Sequence, residues 1–333
     1  NLIFLLQCSL VEFILLHLSY VFKLLYVKAR IIINEFLYKC VKNNIFTSQG
    51  GRVAPVSNEV EQAVVWALDA GYRHIDTASI YKIEDQVGRA LEKKFGEELK
   101  REDVFVTTKL WNDAHARDAV VPALRRSLSD LNLNYVDLYL VHWPLGQFLN
   151  GTYDYTDYLE TWRGMMEAKS LGLAKSIGVS NFNKQQIQRL IEHGLEKPVV
   201  NQVELNLNVQ EPELLEYCKQ QNIIVEAYTP FGSLFYNKAN SDAPPPRVDD
   251  RALVAIANKY NKTVPQITLR YLVTLPLPKS VTKSRIEQNI EIFDFELTSE
   301  EKEMLKGFDK NYRTIANNVA DRFDHPYFPW NKS

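Results

Sequence analysis

From Ser57 to Ile290 the chain repeats one pattern: a short apolar run closed by a polar residue, then a stretch with apolar side chains at helical spacing. The runs Tyr72–Asp76, Val104–Lys109, Val136–His142, Ala174–Val179, Val199–Glu204, Ile223–Tyr228 and Leu275–Pro278 read as strands. Arg117–Leu131 typifies the helices between them, with Val120, Leu124 and Leu128 forming one stripe. Strands separated by helices run parallel, because each helix returns the chain to the end where the last strand began. Seven such steps, with no linker and no short internal repeat, predict one parallel (β/α)8 TIM barrel over residues 50–333. The competing fold, a doubly wound open sheet, would carry Gly-x-Gly-x-x-Gly after its first strand. Neither that run nor a Gly-x-x-x-x-Gly-Lys-Ser/Thr loop occurs.

The polar residues decide for the barrel. Asp76, Lys109, His142, Ser180 with Asn181, Gln202, Tyr228 and Lys279 stand at successive strand ends. A barrel gathers those ends on one rim, the face where such folds carry chemistry. The stretch Gly71–Gly88 adds Tyr81 on the loop that follows Asp76. Each residue has an ordinary explanation when taken alone: Asp76 as a turn or helix-cap carboxylate, Lys109 as a solvated strand end, His142 as a satisfied core histidine, Tyr81 as a loop aromatic. In this order, on neighbouring strand ends, they read as a site.

The 333 residues, 46% hydrophobic and 24% charged, can bury a large core. A net charge of -2 supplies no basic field for nucleic acid or an anionic membrane. Cys8, Cys40 and Cys218 show no Cys-x-x-Cys spacing, so no disulfide framework and no metal site is expected, and a reducing, cytoplasmic setting is. Residues 1–49 stand apart in character. Leu2–Val27 is strongly apolar, but Glu12, His17 and Lys23 interrupt it, and a charge at a bilayer centre costs roughly 2.5–3.5 kcal/mol. Three readings stay open for this segment: a signal or membrane anchor in residues 1–27, a helix packed on the domain, or misassigned coding sequence.

Five motifs then point to one family. Asp76 with Tyr81 five residues on, Lys109 in Thr-Thr-Lys-Leu-Trp, His142 in Leu-Val-His-Trp-Pro, Gly178-Val179-Ser180-Asn181-Phe182 and Pro278-Lys279-Ser280-Val281-Thr282 together resemble the aldo-keto reductase superfamily. The resemblance spans about Gly51 to Ser333, and Ala78–Tyr81 and Tyr228–Gly232 look closest to its insect members. It implies a (β/α)8 barrel that binds a nicotinamide cofactor and reduces aldehydes and ketones. The family's first strand is not recognisable before Gly51. It is expected to be missing or replaced, with Ala29–Ile33 as the candidate substitute.

The chemistry fits those residues. A carbonyl that accepts hydride becomes an alkoxide, so the site must supply a proton and a field favouring the developing charge. Tyr81 is the candidate acid. Lys109 is expected to lower its pKa, Asp76 to hold Lys109 charged and oriented, and His142 to hydrogen-bond the substrate oxygen. The resemblance implies that Ser180, Asn181 and Gln202 hold the nicotinamide carboxamide and that Tyr228 stacks on the ring. It places Ser233 and Leu234 over the pyrophosphate, Lys279, Ser280, Thr282 and Arg285 at a 2′-phosphate, and Gln288 and Asn289 at the adenine, which favours NADPH. Trp111 and Trp143, with Phe148, Tyr327, Phe328 and Trp330, would line an apolar substrate pocket. The expected protein is a monomeric carbonyl reductase acting on a small molecule. A truncated, non-catalytic barrel that at most binds the nucleotide is the alternative, and a membrane-tethered reductase a third reading.

Overall fold

The computed structural model describes residues 58–96, 99–272 and 275–330. All of them lie within one compact unit, Val41–Ser333. The expectations placed on residues 1–49, including the substitute strand Ala29–Ile33 and an anchor in residues 1–27, fall outside the described residues.

Seven strands form one parallel sheet in sequence order: β1 (His74–Asp76), β2 (Phe105–Leu110), β3 (Val136–Val141), β6 (Ala174–Ser180), β7 (Val200–Glu204), β8 (Ile224–Tyr228) and β9 (Leu275–Leu277). Each pairs with the next in the list, so the sheet curls without a crossover reversal and has the architecture of a (β/α)8 barrel. A small antiparallel pair, β4 (Gly146–Gln147) and β5 (Tyr153–Asp154), sits in the loop after β3. The outer layer comprises α1 (Glu59–Asp69), α2 (Glu84–Lys94), α3 (Arg117–Leu131), α4 (Tyr158–Ser170), α5 (Lys184–Glu192), α6 (Pro212–Gln220), α7 (Arg251–Tyr260), α8 (Val264–Tyr271), α9 (Lys283–Ile290) and α10 (Ser299–Lys306).

Helix starts follow the capping chemistry written in the sequence. Thr263 with Gln266, Asn183 with Gln186 and Thr298 with Glu301 each close a reciprocal capping box. Two glycines set how closely the layers approach. A Cβ on Gly88 of α2 would come within 2.7 Å of the Leu131 carbonyl, and one on Gly164 of α4 within 2.6 Å of the Arg117 carbonyl. Helices α2, α3 and α4 therefore pack backbone against backbone around the early strands.

Because strand side chains alternate, one residue in two points into the barrel. The inward files run His74–Asp76, Phe105–Thr107–Lys109, Leu138–Leu140–His142, Gly178–Ser180, Val200–Gln202–Glu204 and Ile224–Glu226–Tyr228. The lower interior is mainly apolar, with Leu138, Leu140 and Val200 in one cluster and the His74 ring 4.5 Å from that of Phe105. Polar and ionisable groups take over towards the carboxyl ends. Sequence order alone thus grades the barrel from a hydrocarbon plug to a charged rim.

Candidate active site

The rim is built from three neighbouring strands. Asp76 ends β1, Lys109 lies near the end of β2, and His142 follows β3, its N–H continuing the ladder to the Leu110 carbonyl at 3.1 Å. Tyr81 comes from the single 3-10 turn Ser79–Tyr81 between β1 and α2. All four side chains are buried, none above 6% exposed. Lys109 Nζ donates to Asp76 Oδ1 at 2.5 Å, to the Thr77 carbonyl at 2.9 Å and to Tyr81 Oη at 3.5 Å. The Tyr81 and His142 rings meet edge to face, 5.9 Å between centroids, and Trp111 meets His142 at 5.0 Å. The four candidates converge as expected.

Their electrostatics correct one expectation. Lys109 was expected to pull the Tyr81 phenol down; instead burial, reinforced by the negative charges of Asp76 and Glu84, pushes it well above its ordinary range. The physical reason is that loss of water around the phenol outweighs the attraction of the Lys109 ammonium, which Asp76 at contact distance partly offsets. Tyr81 therefore holds its proton throughout the physiological range. His142 moves the other way: burial, then Lys109, then Arg322 keep its imidazole far below the usual histidine range, and it stays neutral.

The residues assigned to the carboxamide join this cluster directly. Gln202 Nε2 donates to Asp76 Oδ2 at 2.9 Å and to Glu226 Oε2 at 2.8 Å. Carboxylates only accept, so the nitrogen must face them, which leaves Oε1 as the end of Gln202 that can receive an N–H. Asn181, at φ 62°, donates to the His142 carbonyl at 2.9 Å and accepts the Tyr228 hydroxyl at 2.7 Å. Ser180 Oγ donates to the Gln202 carbonyl. Asp76, Gln202, Ser180, Asn181 and Tyr228 thus form one hydrogen-bonded arc.

Ser233 and Leu234 lie on the loop after β8. Leu234 turns its side chain into the cluster of Leu207 and Leu253, whereas Ser233 Oγ is buried and has no hydrogen-bond partner among the described residues. Lys279, Ser280, Thr282, Arg285, Gln288 and Asn289 form a separate group along the turn after β9 and the start of α9. Lys279, Thr282, Arg285 and Gln288 are exposed, Ser280 and Asn289 buried. Ser280 Oγ accepts the Thr282 N–H at 3.1 Å, which shapes the turn before the helix. Among the described residues no cluster of three or more His, Cys, Asp or Glu could hold a metal ion.

Over the rim lies the chain's last segment. Trp143 is buried with Phe328 at 6.3 Å and Trp330 at 5.6 Å between ring centroids, and Trp111 and Tyr327 pack on the same cluster. Phe148 is the exception, 48% exposed on the hairpin loop. The segment is fastened to the barrel by the Thr314 N–H, which donates to Glu204 Oε1 at 2.7 Å. Sequence reading missed Arg322. It is 3% exposed, its guanidinium lies 5.2 Å from the Trp111 ring and 5.6 Å from the Trp143 ring, and its Nε donates to Gln147. A lone arginine among aromatics was the available signal. Glu84, Glu204 and Glu226, all buried, were missed too, since nothing local in the sequence marks a carboxylate as buried.

Comparison with known proteins agrees with this geometry. A family model described as "Aldo/keto reductase family" matches residues 46–310. Aldo-keto reductase AKR2E4 of Bombyx mori is 52% identical over 277 residues, covering 82% of this chain and 89% of that protein. Aldo-keto reductase family 1 member A1-A of Danio rerio is 43% identical over 301 residues, covering 82% and 91%. The crystal structure of the Bombyx mori AKR2E4 protein in complex with NADP superimposes with a TM-score of 0.82 at 49% identity, covering 87% of this chain and 94% of that one. A silkworm relative, AKR2E5 complexed with NADPH, gives 0.85 at 38% identity, covering 88% and 90%.

Proposed function

The chain belongs to the aldo/keto reductase family, and on that premise we propose that Asp76, Tyr81, Lys109 and His142 carry its reaction, the NADPH-dependent reduction of an aldehyde or ketone to the alcohol. The observation that carries this reading is the buried contact of Lys109 with both Asp76 at 2.5 Å and Tyr81 at 3.5 Å. NADPH, when bound, supplies the hydride that adds to the carbonyl carbon. The chain's own residues do the rest. Tyr81 Oη gives its proton to the carbonyl oxygen, and Lys109 stabilises the phenolate left behind. Asp76 fixes Lys109 in place. His142, being neutral, can donate one N–H to the same oxygen without adding a charge that competes for the proton.

The cofactor is assigned to residues whose chemistry suits it. Oε1 of Gln202, with the amide of Asn181 and the hydroxyl of Ser180, forms a polar edge for a carboxamide, and the Tyr228 ring offers a stacking face. Ser233 Oγ, buried and unpartnered among the described residues, is a donor suited to a pyrophosphate oxygen, with Leu234 beside it. Lys279, Ser280, Thr282 and Arg285 cluster at the first turn of α9, where helix N–H groups point outward, and this suits a 2′-phosphate; Gln288 and Asn289 follow for the adenine. Trp111 and Trp143 make the opening apolar and favour a lipophilic carbonyl compound. A monomer working in the cytoplasm completes the proposal and is checked by light scattering and fractionation. Among the described residues no helix is long and apolar enough to cross a membrane.

The test is NADPH oxidation with a simple aromatic aldehyde, wild type beside Tyr81→Phe. Loss of a general acid should reduce kcat about 10²- to 10⁴-fold. NADPH quenching of tryptophan fluorescence should survive. Equal rates in the two proteins would sink the assignment of Tyr81.

A further inference from the structure

Glu226 precedes Tyr228 by two residues on β8, in the inward file, and is 1% exposed. It pairs in register with Gln202 of β7, so the two side chains leave neighbouring strands on the same face. Gln202 Nε2 donates to Glu226 Oε2 at 2.8 Å and, across the barrel interior, to Asp76 Oδ2 at 2.9 Å. The other oxygen of Asp76 holds Lys109. The proton transfer itself does not use Glu226.

A primary amide carries two hydrogens on its nitrogen and two lone pairs on its oxygen. Asp76 takes one hydrogen of Gln202 and settles which end of the amide faces the proton machinery. That contact alone would leave the second hydrogen able to turn to a ligand, and Gln202 could then donate to a carbonyl as readily as accept from an N–H. Glu226 takes that hydrogen too. With both hydrogens held, Gln202 meets a ligand only through Oε1, as an acceptor. An apolar side chain would fill the same place on β8 with less loss of hydration, but it could not hold the amide.

Resting on Gln202 as part of the carboxamide edge, we propose that Glu226 is a positioning residue for the cofactor: it makes Gln202 an acceptor only, so that the site selects a nicotinamide whose carboxamide presents an N–H. Glu226 acts through Gln202 and needs no contact with the cofactor. The chemistry names the compound that such a site disfavours. The reduced 3-acetylpyridine analogue of NADPH, with methyl in place of the carboxamide NH2, keeps the ring, the carbonyl and the phosphates but has no hydrogen to give to Oε1.

The experiment measures dissociation constants of NADPH and of that analogue, by quenching of tryptophan fluorescence, for wild type, Glu226→Met, Glu226→Gln and Gln202→Met. One buried hydrogen bond lost should make wild type bind the analogue roughly tenfold more weakly than NADPH. Glu226→Met keeps the length of the side chain and removes the acceptor. The freed hydrogen of Gln202 then competes for the same position, NADPH binding weakens, and the two constants approach to within about threefold. Glu226→Gln, which can turn its own amide oxygen to Gln202, should keep the preference for NADPH. A purely structural role predicts instead that Glu226→Met weakens both compounds alike and leaves their ratio at the wild-type value, and that result overturns the proposal. If circular dichroism shows Glu226→Met unfolded, Glu226→Thr takes its place, its hydroxyl too short to reach Nε2, with the same expectation. Equal binding of the two compounds by wild type refutes the idea without any variant. Wild-type affinity for NADPH in Gln202→Met would remove Gln202 from the carboxamide edge, whereas a collapsed ratio there beside a preserved one in Glu226→Met removes only the role of Glu226.

Discussion

Asp76 carries more than its ion pair. One oxygen grips Lys109 and the other accepts Gln202, so a single side chain ties the proton machinery to the carboxamide edge. Replacing it by asparagine leaves Lys109 buried without its counter-charge, a defect that typically costs 3–5 kcal/mol. Asp76→Asn is expected to lower both the melting temperature and kcat, and to raise KM for NADPH through Gln202. A change in kcat alone, with KM and melting temperature at wild-type values, would show that the arc is not mechanically continuous. Asp76, Lys109 and His142 were legible because each stands at the end of an apolar run, and Tyr81 because it follows Asp76 by five residues. Their proton affinities were not. The displacement of Tyr81 depends first on its burial and then on the nearby charges of Asp76 and Glu84, none of which any spacing in the sequence encodes.

At the scale of elements, the site depends on helices that it never touches. α2 carries Glu84 at one end and Gly88 one turn later, and the close approach of Gly88 to Leu131 sets how near α2 lies to α3. A methyl group there meets backbone, which cannot rotate away. Gly88→Ala is predicted to destabilise the fold by about 1–3 kcal/mol, the usual cost of overpacking, as read by urea denaturation. An unchanged midpoint would mean that the helices separate freely. Helical periodicity made α3 and α4 readable from sequence, and strand ends were placed within a residue or two. The hairpin of β4 and β5 was not readable, because two-residue strands show no alternation. Helix α10 went unread although Thr298 and Glu301 spell a capping box, since its apolar positions are few.

Among the described residues, burial holds His115, His142 and His325 below the ordinary histidine range. Burial lowers His115 to about 4 and holds His142 well below its ordinary value, while an unfolded histidine titrates near 6.5. The unfolded chain thus binds protons that the folded chain refuses, so stability is full above about pH 6.5 and falls as the pH drops towards 4. For His115 alone the loss approaches an order of 3 kcal/mol at the acid end of that window. Melting temperatures of wild type and His115→Gln should therefore converge on acidification below pH 6.5; parallel curves would contradict this. A (β/α)8 plan was visible in the sequence because seven strands repeat one rhythm, but burial of a particular histidine emerges only once distant segments meet.

The bond from the Thr314 N–H to Glu204 has an evolutionary reading. The residues that receive and discharge the proton come from the early strands and the turn after β1, whereas much of the wall a substrate meets comes from the final segment, which is hydrogen-bonded to Glu204 of β7, Gln147 of β4 and Gln186 of α5. Such a division lets descendants of this barrel rewrite their diet by editing the tail, so long as Arg322, which reaches back to His142, is kept.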